Sequence, residues 1–302
     1  MKKILVADAL DKEAMDRLKA IPAFAVTVKT GMDEAELVRT IPGFNAIVVR
    51  GATKVTRKVI EAATDLELIL RAGIGLDNVD AAAAKEKGIA VANTPAATTI
   101  SVAELTMGLM LSAVRQLGRA NLSMKQHKWE KKTLSGTELY GKTLGLLGAG
   151  LIGTEVARRA AAFGMRVVAH DHYISNHALA DMVEDDDELF ALADYISIHL
   201  PLTPETKGML DRNAFAKMKD GVVIVNTARG KVVVEEDLAE ALKSGKVRAY
   251  ATDVYYSDPP EPSSPLLTAP NVVMTPHIGG SSKENLLRIG DNVVDILKKW
   301  KR

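Results

Sequence analysis

The chain has 302 residues, of which 47% are hydrophobic and 25% charged, and its formal net charge is +1. This length exceeds the usual size of a single hydrophobic core, so we expect two domains. A nearly neutral chain produces no field that attracts nucleic acid or an anionic membrane, and we predict neither as a partner. The sequence contains no cysteine, which excludes disulfides, thiolate nucleophiles and sulfur-ligated zinc and favours a reducing, cytoplasmic setting.

The N-terminus has only a superficial similarity to a signal peptide. Lys2 and Lys3 precede an apolar run at residues 4–7, but Asp8 and Asp11 interrupt it after a few residues. We therefore interpret the run as a first buried strand. The longest apolar helical stretch, around residues 106–114, is much shorter than the roughly 20 residues of a membrane span, so we predict no membrane role.

Short β-rich runs alternate with amphipathic helical segments in the first third of the chain. The predicted strands are residues 4–7, 25–28, 46–49, 68–70 and 90–92. This alternation is typical of a parallel sheet covered by helices. The sequence SVAE at residues 101–104 then has the form of a capping box, and a helical pattern follows it to Leu117. We predict one long helix that leaves the first sheet here.

A second series of strand signals follows a basic stretch at residues 119–132, which we interpret as a hydrated interdomain segment. The predicted strands are residues 143–147, 166–170, 195–199, 222–226, 250–254 and 272–275, and a final helix spans about 283–299. The fold class predicted from this order is α/β, with two doubly wound parallel-sheet domains. We expect one domain at residues 99–283 and the other at residues 1–98 with 284–302.

A glycine-rich motif follows the first strand of the second series. The strand at residues 143–147 runs directly into GAGLIG at 148–153, and an Ala- and Arg-rich helix comes next. This is the dinucleotide-binding fingerprint in its required strand–turn–helix context. Gly148 would permit the tight turn, Gly150 the close approach of a pyrophosphate, and Gly153 the packing of helix on strand. The free N–H groups of the helix N-terminus would bind phosphate.

An acidic residue stands about 20 positions beyond these glycines, where dinucleotide sites use a carboxylate to bind ribose hydroxyls. This residue is Asp171, and neither His172 nor Tyr173 after it is a cation that would accept a 2′-phosphate. We therefore predict NAD rather than NADP. His170, His172 and His177 suggest a metal cluster at first sight, but no carboxylate spacing completes one and we predict no metal.

Three segments of the second domain each place one ionisable group after a predicted strand. These groups are Arg229, Asp258 and His277. Ligands of open α/β sheets bind beyond the carboxyl ends of the strands, so the three groups can converge on one substrate. Taken singly, each of them could equally be a surface or capping residue of a loop.

Over nearly its whole length the chain resembles the D-isomer-specific 2-hydroxyacid dehydrogenases. The motifs that carry the resemblance are RAGIGLDNVD at 71–80, NTP at 93–95, SVAELT at 101–106, HLPLT at 199–203 and HIGGS at 277–281. Within the family, the first and last of these are most similar to the branch that acts on 3-phosphoglycerate. The resemblance implies a Rossmann NAD-binding domain, a flavodoxin-like substrate domain, a cleft that closes between them, and a homodimer formed through the nucleotide domain with the helix from Ser101.

The resemblance also implies roles for the three ionisable groups. His277 is the acid/base on the substrate oxygen, Arg229 holds the carboxylate and carbonyl, and Asp258 is the acidic partner of the histidine. These roles suit an imidazole, which titrates near neutrality, and a guanidinium, which binds carboxylates bidentately. Most family members have Glu in place of Asp258. Because Asp is shorter by one methylene, about 1.5 Å, either the backbone approaches His277 or the pair is looser.

The binding residues that the resemblance implies form two sets. For NAD they are Gly148, Ala149, Gly150, Leu151, Ile152, Gly153, Asp171, His199, Leu200, Pro201, Thr206, Thr227, Ala228, Arg229, Asp253, His277, Gly279 and Gly280. For the substrate they are Arg50, Gly51, Lys54, Ala72, Gly73, Ile74, Gly75, Arg229 and His277. Arg50 and Lys54 are candidates for binding a phosphate, although solvated loop charges would look the same. Thr98 stands where the phosphoglycerate branch usually has Asn.

Two other functions remain open at this point. A broader reductase of glyoxylate, hydroxypyruvate or an aliphatic 2-oxoacid would need the same catalytic groups. The transcriptional corepressors that share this fold use NAD binding as a switch for partner docking, and can keep those groups as well. Because the sequence ends with the helix that reaches Trp300, we also expect no serine-binding regulatory domain and no serine feedback.

Overall fold

The computed structural model describes residues 1–300, so residues 301 and 302 of the predicted substrate domain lie outside the described residues. The chain forms two compact units, one of Met1–Thr98 with the segment from Gly280, the other of Thr99–Gly279. Each unit contains one parallel sheet. This confirms the predicted fold class.

The first unit is built on a five-stranded sheet with the order β2-β1-β3-β4-β5. Its strands are β1 (Lys2–Val6), β2 (Phe24–Val28), β3 (Ala46–Val49), β4 (Leu68–Arg71) and β5 (Ala90–Asn93). The helices between them are α1 (Lys12–Lys19), α2 (Glu34–Thr40), α3 (Arg57–Ala62) and α4 (Ala81–Glu86). Asp11, which interrupts the apolar N-terminal run, is the N-cap of α1 and accepts a hydrogen bond from the N–H of Glu13 at 2.8 Å.

The second unit is built on a seven-stranded sheet with the order β12-β11-β10-β9-β6-β7-β8. Its strands are β6 (Thr143–Leu147), β7 (Arg166–His170), β8 (Asp181–Met182), β9 (Tyr195–Ile198), β10 (Val222–Asn226), β11 (Val247–Thr252) and β12 (Val272–Met274). Its helices are α5 (Thr99–Arg115), α6 (Leu117–Lys125), α7 (Leu151–Ala162), α8 (Asp186–Leu192), α9 (Arg212–Lys217) and α10 (Glu235–Ser244). The last helix, α11 (Lys283–Trp300), belongs to the first unit.

Both faces of each sheet are buried, because successive side chains of a strand point to opposite faces. In the first sheet, Leu5 lies in one apolar cluster, while its neighbours Ile4 and Val6 lie in another. In the second sheet, Ile224 and Val225 divide between two clusters in the same way. Most polar side chains of these units therefore lie at strand ends and in loops, which is where the predicted site residues stand.

Four details of the second unit differ from the sequence-based prediction. The long helix begins at Thr99 rather than after a cap at Ser101, whose hydroxyl instead donates to the carbonyl oxygen of Gly279 at 2.6 Å. It ends at Arg115 because Gln116 adopts a left-handed conformation (φ 51°), and α6 begins at Leu117. The apolar periodicity continues through this break and does not reveal it. The short edge strand β8 and the early start of β11 were also not predicted.

Within residues 1–300, no helix combines the length and the apolar character needed to cross a lipid bilayer.

A glycine allows α11 to pack closely on α1. A Cβ built at Gly290 would lie 2.3 Å from the Cβ of Ala14, much closer than two carbon atoms can approach. On either side of it, Ile289 and Val293 of α11 are buried in the core.

We predict that Gly290→Ala lowers the free energy of unfolding by about 1–3 kcal/mol, because the clash outweighs the gain of roughly 0.5–1 kcal/mol in helix propensity. Urea unfolding of the variant and the wild type measures this difference. Adding Ala14→Gly removes the opposing Cβ, so the double variant should recover part of the loss. A double variant no more stable than Gly290→Ala alone would contradict this packing.

Candidate active site

The glycine loop of the second unit joins β6 to α7 and has the geometry of a phosphate-binding turn. Gly148 has a left-handed φ of 96°, and a Cβ there would lie 2.9 Å from the carbonyl oxygen of His199. A Cβ at Gly153 would lie 2.4 Å from the carbonyl oxygen of Gly148. At Gly150, in contrast, a Cβ would have no atom within 4 Å. Two glycines are thus required by close packing, and the third leaves open space beside the backbone.

Donor groups at the start of α7 face this open space. The N–H of Gly148 is used by the carbonyl oxygen of His170 at 2.9 Å, and that of Ala149 by the Asp171 carboxylate at 2.8 Å. The following N–H groups, of Gly150, Leu151 and Ile152, donate to no acceptor among residues 1–300. A helix N-terminus with unpaired N–H groups is suited to hold an anionic group such as a pyrophosphate.

Asp171 follows β7 and is bound to the same loop. One carboxylate oxygen accepts from Ala149, and the other accepts from the N–H groups of Tyr173 and Ile174 at 2.9 and 3.1 Å. A carboxylate has about four acceptor positions. Three are occupied by backbone groups, so the carboxylate keeps room for about one hydrogen bond from a ribose. The sequence placed this acid correctly after the strand but did not reveal how its oxygens are used.

Residues of the segment after β9 form the opposite wall of the glycine loop. The ring of His199 is partly buried and its Nε2 lies 2.9 Å from the hydroxyl of Ser197. Burial lowers the pKa of His199 to about 4, so the ring is neutral at physiological pH and adds no positive charge. Further along, the Thr206 hydroxyl donates to the carbonyl oxygen of Pro201 at 2.6 Å and closes the turn, whereas Leu200 packs on the core.

A buried carboxylate holds the turn that carries His277. Asp253 follows β11 and is 2% exposed. It accepts hydrogen bonds from the hydroxyl of Thr275 at 2.6 Å and from the N–H groups of Ile278 and Gly279 at 2.8 and 2.7 Å. His277, between these contacts, has a left-handed φ of 53°. Such a backbone is uncommon outside glycine and persists only where its surroundings enforce it.

His277 and Asp258 form a direct pair. The ring Nδ1 lies 2.5 Å from a carboxylate oxygen of Asp258, and both side chains are about half exposed, at 51%. An ionised carboxylate only accepts hydrogen bonds, so Nδ1 carries the shared proton and Nε2 is the nitrogen left for other partners. The shorter side chain of Asp258 left two possibilities, a closer approach of its backbone to His277 or a looser pair. The short distance corresponds to the closer approach.

Arg229 lies at the carboxyl end of β10 in a loop shaped by Asn226. The buried Asn226 amide donates to the carbonyl oxygen of Arg229 at 3.0 Å and accepts from the N–H of Ala228 at 3.0 Å. A Cβ at Gly230 would lie 2.2 Å from the backbone of Tyr255, so only glycine fits there. Thr227, in the same loop, contacts the hydroxyl of Thr106 at 2.9 Å. These contacts fix the backbone from which the guanidinium extends.

In the first unit, the predicted substrate residues occupy two loops that follow neighbouring strands. The loop after β3 contains Arg50, Gly51 and Lys54, and the turn after β4 contains Ala72 and residues 73–75. Gly51 and Lys54 are exposed and Arg50 is partly buried. Among residues 1–300, the N–H groups of Gly51 and its neighbour Ala52 donate to no acceptor.

The turn after β4 is also ordered by backbone contacts. The N–H of Ala72 donates to Val49 at 2.7 Å, and the carbonyl oxygen of Ile74 accepts from the Asn93 amide at 2.6 Å. A Cβ at Gly73 would overlap the guanidinium of Arg71. The N–H groups of Ile74 and Gly75 have no acceptor within the described chain. Gly280 of this unit accepts a hydrogen bond from the Asn285 amide at 2.7 Å.

Two polar side chains that sequence reasoning missed hold the loop after β3. The carboxylate of Asp8 accepts from the N–H of Arg50 at 2.6 Å, and from the N–H and hydroxyl of Thr53 at 3.2 and 2.7 Å. The amide of Asn78 donates to the carbonyl oxygens of Arg50 and Thr53 at 2.8 and 2.7 Å. The position of Asp8 directly after a buried strand was the available signal.

Two of the three histidines at and after the end of β7 contact other side chains of the chain. His170 Nδ1 lies 2.7 Å from the carboxylate of Asp186, and His177 Nε2 lies 2.9 Å from the hydroxyl of Thr154. Among the described residues, no three His, Cys, Asp or Glu side chains are grouped to hold a metal ion.

Comparison with known proteins gives concordant matches. A sequence model of the D-isomer specific 2-hydroxyacid dehydrogenase NAD binding domain matches residues 107–279. The chain is 50% identical over 299 residues to hydroxypyruvate reductase of Thermotoga maritima, covering 98% of this chain and 97% of the relative. It is 48% identical over 303 residues to D-3-phosphoglycerate dehydrogenase of Methanocaldococcus jannaschii, covering 99% of this chain. The chain spans only 57% of that second relative.

A solved structure extends the similarity to the whole fold. NAD-dependent formate dehydrogenase from Staphylococcus aureus in complex with NAD superimposes with a TM-score of 0.88 at 32% identity, over 100% of this chain and 96% of that one. The family model, the sequence relatives and this solved structure all indicate the same family. The chain therefore belongs to the D-isomer specific 2-hydroxyacid dehydrogenase family, and it is an NAD-dependent enzyme of that family.

Proposed function

We propose that the chain is a D-3-phosphoglycerate dehydrogenase, which interconverts 3-phosphoglycerate and 3-phosphohydroxypyruvate in the cytoplasm as a step of serine biosynthesis. The observation that carries this proposal is the pair of donor-rich loops after β3 and β4. Neighbouring parallel strands end at the same edge of the sheet, so these two loops are adjacent. The substrate has a carboxylate at one end and a phosphate at the other, which matches two adjacent anion sites.

Each anionic end is assigned to one loop. The phosphate binds to the guanidinium of Arg50, the ammonium of Lys54 and the N–H groups of Gly51 and Ala52. The carboxylate is assigned to the N–H groups of residues 74 and 75. The planar guanidinium of Arg229, the residue that the family resemblance implies for this role, suits bidentate binding of a carboxylate. NAD is assigned to the unit Thr99–Gly279, with its pyrophosphate on the N-terminus of α7 and its ribose on Asp171.

His277 performs the acid–base chemistry at the oxygen on C2. During oxidation its Nε2 accepts the proton of the substrate hydroxyl, and during reduction it returns that proton to the carbonyl oxygen. Asp258 orients the ring through Nδ1 and stabilises the imidazolium that forms. Arg229 polarises the carbonyl. NAD, when bound, would supply the acceptor for the hydride that leaves C2.

A second candidate function is the reduction of unphosphorylated 2-oxoacids such as hydroxypyruvate or glyoxylate. The similarity to the hydroxypyruvate reductase of Thermotoga maritima, of nearly the same length, favours it. The same catalytic groups serve both functions. The difference lies in whether the loop after β3 binds a phosphate.

We further propose a homodimer formed through the unit Thr99–Gly279, in which α6 and the segment after it extend the contact expected from the helix that contains Ser101. Ser123 of α6 is buried, whereas Leu122 and Met124 on either side are each 55% exposed. Trp129 and Tyr140 beyond the helix are 77% and 76% exposed. Large exposed apolar side chains grouped in one segment are typical of a surface that binds a protein, and a second copy of the chain presents the same surface.

Replacing the carboxylate of Asp258 tests the dyad. We expect Asp258→Asn to lower kcat about 10²-fold or more with the preferred 2-oxoacid, because the amide neither stabilises the imidazolium nor fixes the ring. Asp258→Glu keeps a carboxylate that can pair with Nδ1 and should retain most of the activity. An Asp258→Asn variant with the wild-type kcat across the pH range would exclude the dyad.

The substrate assignment is tested by NADH oxidation with phosphohydroxypyruvate, hydroxypyruvate, glyoxylate and pyruvate in parallel. We expect kcat/KM to be highest for phosphohydroxypyruvate, and an Arg50→Ala, Lys54→Ala variant to lose roughly 10²-fold for this acid alone, since two charged hydrogen-bonding groups are removed. Equal or higher wild-type values for the unphosphorylated acids would instead support the general reductase.

The dimer is tested by light scattering coupled to size-exclusion chromatography. We expect the wild type to elute at twice the mass of the chain and a Leu122→Asp, Met124→Asp variant to elute as a monomer, because buried unpaired carboxylates oppose association. Leu267→Asp, at an apolar position 41% exposed elsewhere in the same unit, is the matched control and should remain dimeric. A monomeric wild type would refute the proposed dimer.

A further inference from the structure

We propose that Asp8 and Asn78 are positioning residues that set the preference of the enzyme for a phosphorylated acid. They do so by fixing the loop of residues 50–54, and this inference rests on the proposed binding of phosphate by that loop. Neither residue need touch the substrate. Their action is through the backbone that presents Arg50, Lys54 and the N–H groups between them.

Asp8 holds the loop from the side of β1. Its side chain is 7% exposed, and its carboxylate accepts three hydrogen bonds, all from Arg50 and Thr53. Thr53 is 4% exposed, so this end of the loop is buried. A buried carboxylate is unfavourable unless its hydrogen bonds are made, and here all three donors belong to the loop. The carboxylate thus holds Arg50 and Thr53, near the two ends of the loop, by hydrogen bonds to a single side chain.

Asn78 holds the same two residues by their carbonyl groups. Its Nδ2 donates to Arg50 and Thr53, and its own carbonyl oxygen accepts from the N–H of Val55 at 2.8 Å. The N–H and the carbonyl group of both Arg50 and Thr53 are therefore occupied. Asn78 lies in the segment after β4, which also contains the turn at residues 73–75.

The hydrogen bonds of Asp8 and Asn78 determine which backbone groups of the loop a ligand can contact. The carbonyl oxygens of Arg50 and Thr53, which would repel an anion, are turned to Asn78, whereas the N–H groups of Gly51 and Ala52 have no acceptor among residues 1–300. Gly51 has no positive φ, and no atom lies within 4 Å of a Cβ built there. Neither its conformation nor packing requires glycine. The missing side chain leaves the N–H groups accessible to a phosphate.

The direction in which Asp8→Asn changes KM for a phosphorylated acid distinguishes a positioning role from a purely electrostatic one. The Asp8 carboxylate is negative, so if charge alone mattered, Asp8→Asn would improve the binding of a phosphorylated acid. If Asp8 acts by holding the loop, the amide has only one acceptor oxygen for the three donors and binding weakens. The two explanations thus predict opposite changes in KM.

The experiment measures kcat and KM for phosphohydroxypyruvate and for hydroxypyruvate with NADH, in the wild type and in Asp8→Asn. We expect KM for the phosphorylated acid to rise about tenfold, the loss of roughly one hydrogen bond, while kcat and both constants for hydroxypyruvate change by less than about twofold. In an Arg50→Ala background, Asp8→Asn should change the ratio of the two KM values much less, since the presented cation is already absent.

Two further variants guard against a general loss of folding. Thr53→Val removes the hydroxyl that donates to Asp8 while keeping the side-chain shape, and should raise the same KM by a smaller factor. Asn45→Ala is the matched control. Its amide accepts from the N–H of Lys3 at 2.9 Å at the amino end of β3, the opposite end from the loop, so this variant should lower the melting temperature but leave the KM ratio unchanged.

The outcomes separate this inference from the proposed function. A wild type that prefers phosphohydroxypyruvate, with Asp8→Asn and Thr53→Val leaving the KM ratio unchanged or shifting it further toward the phosphorylated acid, overturns the positioning role and leaves the substrate assignment intact. A wild type without that preference contradicts the proposed function, and the inference is overturned with it.

Discussion

The parallel arrangement of both sheets is the constraint on which the rest of the structure depends. Parallel strands are connected by helices that cover both faces, so strand interiors such as those of β1 and β10 consist of buried apolar side chains. Most polar groups then lie at the strand ends and in the loops. Because all strands of a parallel sheet end at the same edge, residues far apart in sequence come to lie side by side there.

Buried and partly buried polar side chains at these edges shape the loops that carry the proposed chemistry. Asp253 holds the turn of His277, Asn226 the loop of Arg229, and Asp8 with Asn78 the loop of Arg50. In each case a carboxylate or amide binds backbone groups that neither strand nor helix satisfies. A buried polar group left without its partner is costly, so such contacts favour one loop conformation over others. A rigid loop places charged groups more accurately than a flexible one.

The pairing of Asp258 with His277 illustrates what such shaping achieves. The aspartate is one methylene shorter than the glutamate that the family resemblance leads one to expect at this position, yet the two side chains are in hydrogen-bonding contact. The left-handed backbone of His277, enforced by Asp253, contributes to this position. The geometry of the pair therefore depends in part on Asp253, which forms no hydrogen bond with the ring of His277 or with Asp258.

Local periodicity and motifs of fixed spacing were enough to predict the α/β class, most strand positions, the glycine loop with its acid at Asp171, and the family. Only the folded chain shows where α5 breaks at Gln116, how the oxygens of Asp171 are used, and that Asp8 and Asn78 hold one loop. These features arise from contacts between distant residues or from a single backbone angle. Neither leaves a periodic signal in the sequence, since hydrophobic patterning records only which face of an element is buried.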